Sequence, residues 1–220
     1  GVSKKDIIHT WRFNALNYWI APLQILAKQV KEKTKINPSK VNMIPLAIDV
    51  EKFANNNITK EEARKLLNVP EDAIIAGIIG RIDEQKGQLT LIKAIKILKA
   101  KGLNVKCLIV GSKTLHEAHK YETAIREYIT ANVLENDVYL RPFNEKVEMV
   151  YKAFDLFVMA SKWESFGMVT VESMASGIPV IGTNAGGTVE LLDKGKLGTL
   201  FEPFNEQELA EKIEEFLKNK

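Results

Sequence analysis

Cysteine is almost missing from this chain: Cys107 is the single one in 220 residues. An internal disulfide is therefore impossible. Because Cys107 lies inside the apolar run 105–110, a buried thiol is expected rather than a reactive one. A reducing compartment fits. No apolar run approaches the ~18 residues that a membrane-spanning helix needs, and no stretch reads as a signal peptide. Charge of one sign is lacking too. The 31 Lys and Arg against 28 Asp and Glu leave a net +3 with both signs interspersed, so composition demands no nucleic-acid or anionic-membrane partner.

Several chemical signatures are also missing. The segment Val110-Gly-Ser-Lys-Thr114 has the outline of a phosphate-binding P-loop, but the pattern requires glycine where Cys107 and Ser112 stand. No strand is followed by G-x-G-x-x-G, which weighs against an ordinary nicotinamide site, and no G-x-S-x-G nucleophile elbow occurs. His116 and His119 stand three apart rather than the four of a zinc-binding H-E-x-x-H, with no third ligand evident. They read as exposed helix residues. No D-x-D pair, the usual mark of a metal-held diphosphate, occurs anywhere. No internal repeat or low-complexity segment is present.

The length leaves room for one α/β domain with an appendage, or for two small domains. The chain opens on Gly1 rather than Met, which leads us to expect a piece of a longer protein. Residues 1–34 differ from the rest, with Trp11, Phe13, Tyr18 and Trp19 crowded together ahead of Leu23, Leu26 and Val30 at helical spacing. Two helices broken near Pro22 are expected there, packed on a neighbouring surface. A short strand within 41–48, interrupted by Pro45, then crosses to the main domain, so that 1–48 forms a helical and linker segment and 49–220 a second domain.

Thr59-Lys-Glu-Glu62 has the spacing of a capping box and opens a helix running to 68. From Pro70 the pattern becomes a regular alternation. Strands are expected over 73–80, 105–110, 138–140, 156–159, 180–182 and 199–201, with helices over 89–101, 117–131, 146–154, 166–176, 188–192 and 206–218. Such alternation implies right-handed crossovers and a parallel sheet with helices on both faces, a doubly wound, Rossmann-like α/β fold. Ligands of such sheets bind beyond the carboxyl ends of the strands, where Arg81, Gly111, Arg141, Glu164 and Thr183 fall.

Two stretches at that edge carry chemistry. In Met159-Ala-Ser-Lys-Trp-Glu-Ser-Phe-Gly-Met-Val-Thr-Val-Glu172 a strand, a loop and a helix follow one another, the helix closing at Gly177 before Pro179. The first-turn amides, from Phe166, Gly167, Met168 and Val169, suit a phosphate. Glu164 and Glu172 would repel one, so they should face the hydroxyls of the same ligand. A phosphate flanked by hydroxyls describes a nucleotide sugar. In Gly80-Arg-Ile-Asp-Glu-Gln-Lys-Gly87, Arg81 can grip a diphosphate bidentately while Lys86 adds a point charge. Each feature also has a plain structural reading. Arg81 could pair with Asp83 or Glu84, Glu172 could solvate a helix face, and Gly186-Gly187 could simply close a turn.

Gly80-Arg81 through Lys86-Gly87, Glu164-Ser-Phe-Gly-Met-Val-Thr-Val-Glu172, Ala175-Ser-Gly-Ile-Pro179 and Gly186-Gly-Thr-Val-Glu190 come in an order and spacing that resemble the C-terminal half of family 4 retaining glycosyltransferases (glycosyl transferases group 1) of the GT-B fold. The resemblance runs over roughly 43–220. It departs from the family at Ile44-Pro-Leu-Ala-Ile-Asp49, which lacks the usual Asn-Gly turn, and at Lys113, where a second glycine is common.

The resemblance implies a nucleotide-diphosphate-sugar donor, such as a UDP- or GDP-sugar, and no cofactor or metal. It implies Arg81 and Lys86 on the diphosphate, Glu164 on the donor sugar, and the Phe166, Gly167, Met168 and Val169 amides on the distal phosphate and sugar. Glu172 falls on the ribose, Gly80 at the donor's edge, and the loop Arg141-Pro-Phe143 beside the base. Catalytic roles fall to Arg81, Lys86 and Glu164. The parent enzyme would transfer a hexosyl unit to a glycan, lipid or small acceptor held by an N-terminal domain, of which 1–48 is the tail. This chain alone would be inactive. The implied location is cytoplasmic, or peripheral at a membrane through the other half of the enzyme. The rivals are a non-catalytic nucleotide-sugar-binding module and a GT-B-like sugar-nucleotide epimerase.

Overall fold

The computed structural model describes residues 3–55, 57–112 and 118–219, with the side chains of residues 118 and 119 left aside. His116 and the side chain of His119 therefore lie outside the described residues. The chain forms two compact units, Gly1–Ile48 and Asp49–Lys220.

In the first unit, helix α1 (Ile7–Asn14) is capped by Asp6, whose carboxylate accepts the His9 amide at 3.0 Å. Strand β1 (Trp19–Ala21), helix α2 (Gln24–Lys33) and strand β2 (Val41–Met43) follow. The strands pair in parallel, Trp19 opposite Val41. Ala21, Ala27, Ile36 and Val41 make a small core, against which Phe13 and Trp19 pack edge to face with centroids 5.5 Å apart. Trp11 and Tyr18 lie exposed. The helix expected to run toward Pro22 thus stops at Asn14 and is replaced by β1. A three-residue strand leaves too few residues to show a period, and its pairing with β2 outweighs local propensity.

The second unit begins with helices α3 (Val50–Ala54) and α4 (Lys60–Leu66). The capping box read at Thr59 is present: the Thr59 hydroxyl accepts the Glu62 amide at 3.1 Å, and the Glu62 carboxylate accepts the Thr59 amide at 2.8 Å. The alternation then proceeds through β3 (Ile74–Ile79), α5 (Gln88–Ala100), β4 (Val105–Val110), α6 (Ala118–Ala131), β5 (Val138–Arg141), α7 (Val147–Lys152), β6 (Leu156–Met159), α8 (Met168–Ala175), β7 (Val180–Thr183), α9 (Gly186–Leu191), β8 (Thr199–Phe201) and α10 (Glu206–Lys218).

All six strands β3 to β8 run parallel in the order β5-β4-β3-β6-β7-β8. The run Ile74-Ile-Ala-Gly-Ile-Ile79 is apolar throughout because β3 is central and covered on both faces. Leu91, Ile92, Ile95 and Leu98 of α5 and Leu209, Ala210 and Ile213 of α10 share one core with β3 and β4. This is the doubly wound α/β fold expected. From β3 the chain winds outward through β4 and β5, and from β6 it winds the opposite way. The order therefore reverses between β3 and β6, where the carboxyl-end loops diverge and leave a crevice.

Candidate functional site

The two loops that diverge at this reversal carry the two motifs. After β3, Asp83 caps a turn of 3-10 helix, Glu84–Lys86, its carboxylate accepting the Gln85 amide at 2.8 Å. Asp83 is thereby spent on the backbone. Arg81 is exposed, and its guanidinium makes no ion pair among the described residues. Its carbonyl accepts the Gln88 side-chain amide at 2.6 Å, which fixes the backbone under the guanidinium. The turn ends at Gly87, with φ +71°, where a Cβ would stand 2.2 Å from the Ala160 carbonyl oxygen. Only glycine permits both that conformation and that approach, so Gly87 sets the Lys86 loop against the end of β6.

After β6 the loop turns back at Glu164. The Glu164 side chain is 15 % exposed, and one oxygen, Oε1, receives both the Lys86 ammonium and the Ser161 hydroxyl, the latter at 3.0 Å. Its carbonyl accepts the Gly187 amide at 2.8 Å. At Gly186 a Cβ would lie 2.4 Å from the same carbonyl oxygen, so the glycine pair is what lets α9 close on the Glu164 loop.

Helix α8 starts at Met168, two residues later than expected, because Gly167 stands just before it at φ 86° and ψ 63°. The Thr170 amide reaches back to the Gly167 carbonyl at 2.9 Å, whereas the amides of Phe166, Gly167, Met168 and Val169 find no protein acceptor among the described residues. Phe166 is itself buried, so only its backbone is available to a ligand. Within α8, Glu172 Oε2 accepts the hydroxyl of the fully buried Tyr151 at 2.9 Å, an oxygen that also lies 3.0 Å from the Val169 carbonyl. Burial, and then the Glu172 carboxylate beside it, push the Tyr151 phenol well above its ordinary range, so it stays a donor at any working pH.

A pocket of about 360 Å³ opens where β3, β4 and β5 end, lined by Ile82, Gly111, Ser112, Arg126, Leu140 and Pro142 among others. Pro142, from the loop expected beside a base, is part of its wall. Arg141, expected beside the donor nucleotide, lines this pocket too, and its guanidinium is held by the carbonyls of Leu67 at 2.5 Å, Asn68 at 2.6 Å and Leu140 at 2.9 Å. The end of α4 leaves carbonyls that need donors, and Arg141 supplies them. Gly80, expected as the last residue of the strand, follows directly on β3 and leads into Arg81.

The structure therefore brings Lys86, Glu164, Arg81 and the start of α8 to one edge and holds Glu172 by Tyr151. Ser161, Tyr151 and Gln88, which orient these groups, escaped the sequence reading: none stands in a recognisable chemical pattern. Among the described residues, no group of three or more His, Cys, Asp or Glu side chains could hold a metal ion, and no helix is long and apolar enough to cross a membrane.

A parallel sheet reversing at its middle, with a loop and helix start at its carboxyl edge, is a Rossmann-like domain of the GT-B kind. The model of the family Glycosyl transferases group 1 matches residues 59–220, and the chain belongs to that family as a C-terminal-type domain. It is 34% identical over 171 residues to the capsular polysaccharide biosynthesis glycosyltransferase CapM of Staphylococcus aureus, a match covering 77% of this chain and 43% of CapM. It is 29% identical over 193 residues to a D-inositol 3-phosphate glycosyltransferase of Corynebacterium urealyticum, covering 86% of this chain and 45% of the relative. The chain spans less than half the length of each. Among solved structures, Anabaena Alr3699/HepE in complex with UDP and glucose superposes with a TM-score of 0.86 at 27% identity, covering 96% of this chain and 56% of that one. The C-terminal domain of the group 1 family protein LpcC from Francisella tularensis gives a TM-score of 0.68 at 26% identity, covering 78% and 88%.

Proposed function

We propose that residues 49–220 bind a nucleotide-diphosphate sugar, and that the parent enzyme transfers its hexosyl unit, with retention, to a glycan, lipid or small acceptor. The observation that carries this is the set of unspent donors at the strand reversal: the Arg81 guanidinium and the amides of Phe166, Gly167, Met168 and Val169. Unpaired cation and helix-start amides together fit a diphosphate. The Anabaena protein, solved with UDP and with UDP-glucose, lends weight to that donor class.

In this reading Arg81, Lys86 and the amides stabilise charge developing on the departing diphosphate during a same-face substitution. Glu164 faces the donor sugar, Glu172 the ribose, and the 360 Å³ pocket takes the base. The diphosphate is neutralised without a metal. Residues 1–48 are the tail of an N-terminal acceptor-binding domain. The chain by itself binds donor without transferring sugar, because catalysis needs both reactants held in register. Its place is the cytoplasm, or a membrane surface reached through the other half of the enzyme.

A thermal-shift panel of UDP-, GDP- and ADP-sugars, each with and without EDTA, tests the reading. A ligand at about 100 times its Kd stabilises the fold by roughly 2.7 kcal/mol. Arg81→Ala should weaken the best ligand about tenfold or more, the worth of one charged hydrogen bond. Unchanged affinity for that variant rejects the diphosphate assignment. A requirement for Mg²⁺ or Mn²⁺ rejects metal independence, and acceptor glycosylation by this chain alone rejects the division of labour.

A further inference from the structure

We propose that Ser161 is a positioning residue: it holds the Glu164 carboxylate, and through it the Lys86 ammonium, so that Glu164 is divided into a protein-facing oxygen and a ligand-facing one. The inference rests on the diphosphate reading of this site. It begins from Ser161 itself, which is 2 % exposed in the loop after β6 and cannot touch solvent or a large ligand directly.

Its backbone is pinned from two directions. The Ser161 carbonyl accepts the hydroxyl of the buried Thr183, at the end of β7, at 2.8 Å. The next residue, Lys162, donates its amide at 2.8 Å to the carbonyl of Gln85, in the very turn that carries Lys86. From this fixed backbone the Ser161 hydroxyl donates to Glu164 Oε1 at 3.0 Å. The same oxygen receives Lys86. Glu164 is also held by its own carbonyl, which accepts the Gly187 amide at 2.8 Å.

The result is a chain of fixed groups, Thr183 to Ser161 to Glu164 to Lys86, that crosses the strand reversal from β7 to the β3 loop. A lysine left to itself swings on four rotatable bonds and gives up that freedom on meeting an anion. Here the ammonium is already placed, with its side chain 27 % exposed, so a diphosphate meets a charge in position. Because both donors converge on Oε1, Oε2 of Glu164 has no protein donor among the described residues. That oxygen is the one left for a sugar hydroxyl.

The test uses the whole chain and the variants Ser161→Ala, Glu164→Gln and Lys86→Ala. UDP, GDP, ADP and the three parent nucleosides are titrated calorimetrically, and the Lys86 ammonium is followed by ¹⁵N–¹H NMR, where a held ammonium gives a signal that a free one exchanges away. Ser161→Ala is expected to weaken the tightest diphosphate about threefold to tenfold. The same change should leave the parent nucleoside unaffected and add nothing in the Lys86→Ala background. The Lys86 signal should fade in Ser161→Ala and in Glu164→Gln. A Lys86 signal that persists in Ser161→Ala overturns the proposal whatever the affinities do, as does an equal loss of affinity with and without Lys86. If no diphosphate binds the wild-type chain, the functional reading falls, and the ammonium signal alone decides the positioning.

Discussion

Asp155, at the foot of β6, is the group whose disturbance should cost the fold most without touching the site. Its side chain is 2 % exposed, and its oxygens take Arg64 Nη2 and Lys60 Nζ, each at 2.6 Å, and the Ile75 amide at 2.7 Å. Arg64 is only 4 % exposed, and it also donates to the carbonyls of Ala153 at 3.1 Å and Glu71 at 2.5 Å. Arg64→Met keeps most of the volume but takes from a buried carboxylate its one buried cation, leaving it the half-exposed Lys60 and the Ile75 amide, and orphans two carbonyls. Removing one partner of a buried pair costs about 3–5 kcal/mol. Lys60→Met removes an ammonium that is 40 % exposed and leaves the Arg64 bond intact, so solvent screening holds its cost to about 1 kcal/mol or less. Urea unfolding followed by circular dichroism, with a slope of roughly 2–3 kcal/mol per molar, turns the first loss into a midpoint drop of about 1–2.5 M. Arg64→Met combined with Asp155→Asn should recover part of that loss, since no charge is then left buried. Because Asp155 lies at the amino end of β6 and Glu164 beyond its carboxyl end, the folded Arg64→Met chain should bind diphosphate as the wild type does. Equal losses for Arg64→Met and Lys60→Met, or a loss in the first below about 1 kcal/mol, would refute the reasoning.

Glu172→Ala is expected to weaken a ribonucleoside diphosphate more than its 2′,3′-dideoxy analogue, which has already lost the hydroxyls Glu172 would hold; equal losses by calorimetry would return Glu172 to a partner of Tyr151 alone. Asp137 gives a pH dependence: burial raises its carboxyl pKa, but the hydrogen bonds from Lys106 and Lys99, with their charges, outweigh burial and leave it below the ordinary value. A folded pKa below the unfolded one contributes stability that is present above the unfolded value of about 4 and is lost as pH falls through the lower folded value. Lys106→Met should therefore flatten the fall of the urea midpoint in that acid window and lower the midpoint at pH 7, and an unchanged acid limb would count against the pairing.

The sheet is legible in the sequence because its central strands are apolar runs closed by a glycine, proline or polar loop, and the runs are separated by helical periods. Ile74-Ile-Ala-Gly-Ile-Ile79 and Leu156-Phe-Val-Met159 need no tertiary knowledge to be read as buried parallel strands. Strand β1 is not legible in the same way. Trp19-Ile-Ala21 is too short to show a period, and what makes it a strand is Val41-Asn-Met43 lying beside it. Arg141 shows the same limit at the level of a side chain. A cation at the end of a parallel strand has the look of a ligand contact, and nothing near it in sequence shows that the carbonyl of Leu67, 74 residues away, also holds it.

The two carboxylates separate what spacing can reveal from what it cannot. Seven residues between Glu164 and Glu172, with a glycine at the helix start between them, announce that both belong to one loop and helix, and the structure places them so. What aims each one comes from elsewhere. Glu164 is held by Lys86, 78 residues distant, and by a serine that reads as an ordinary loop opener. Glu172 is held by Tyr151, whose aromatic ring reads as core. In both cases the protein donors fall on a single oxygen and leave the other without one among the described residues. A carboxylate bound on both oxygens would have no acceptor left for a ligand, and one bound on neither would swing freely. Bound on one, it is oriented while its second oxygen stays able to accept a hydroxyl. That asymmetry depends on which donor arrives from which strand, which no local pattern encodes.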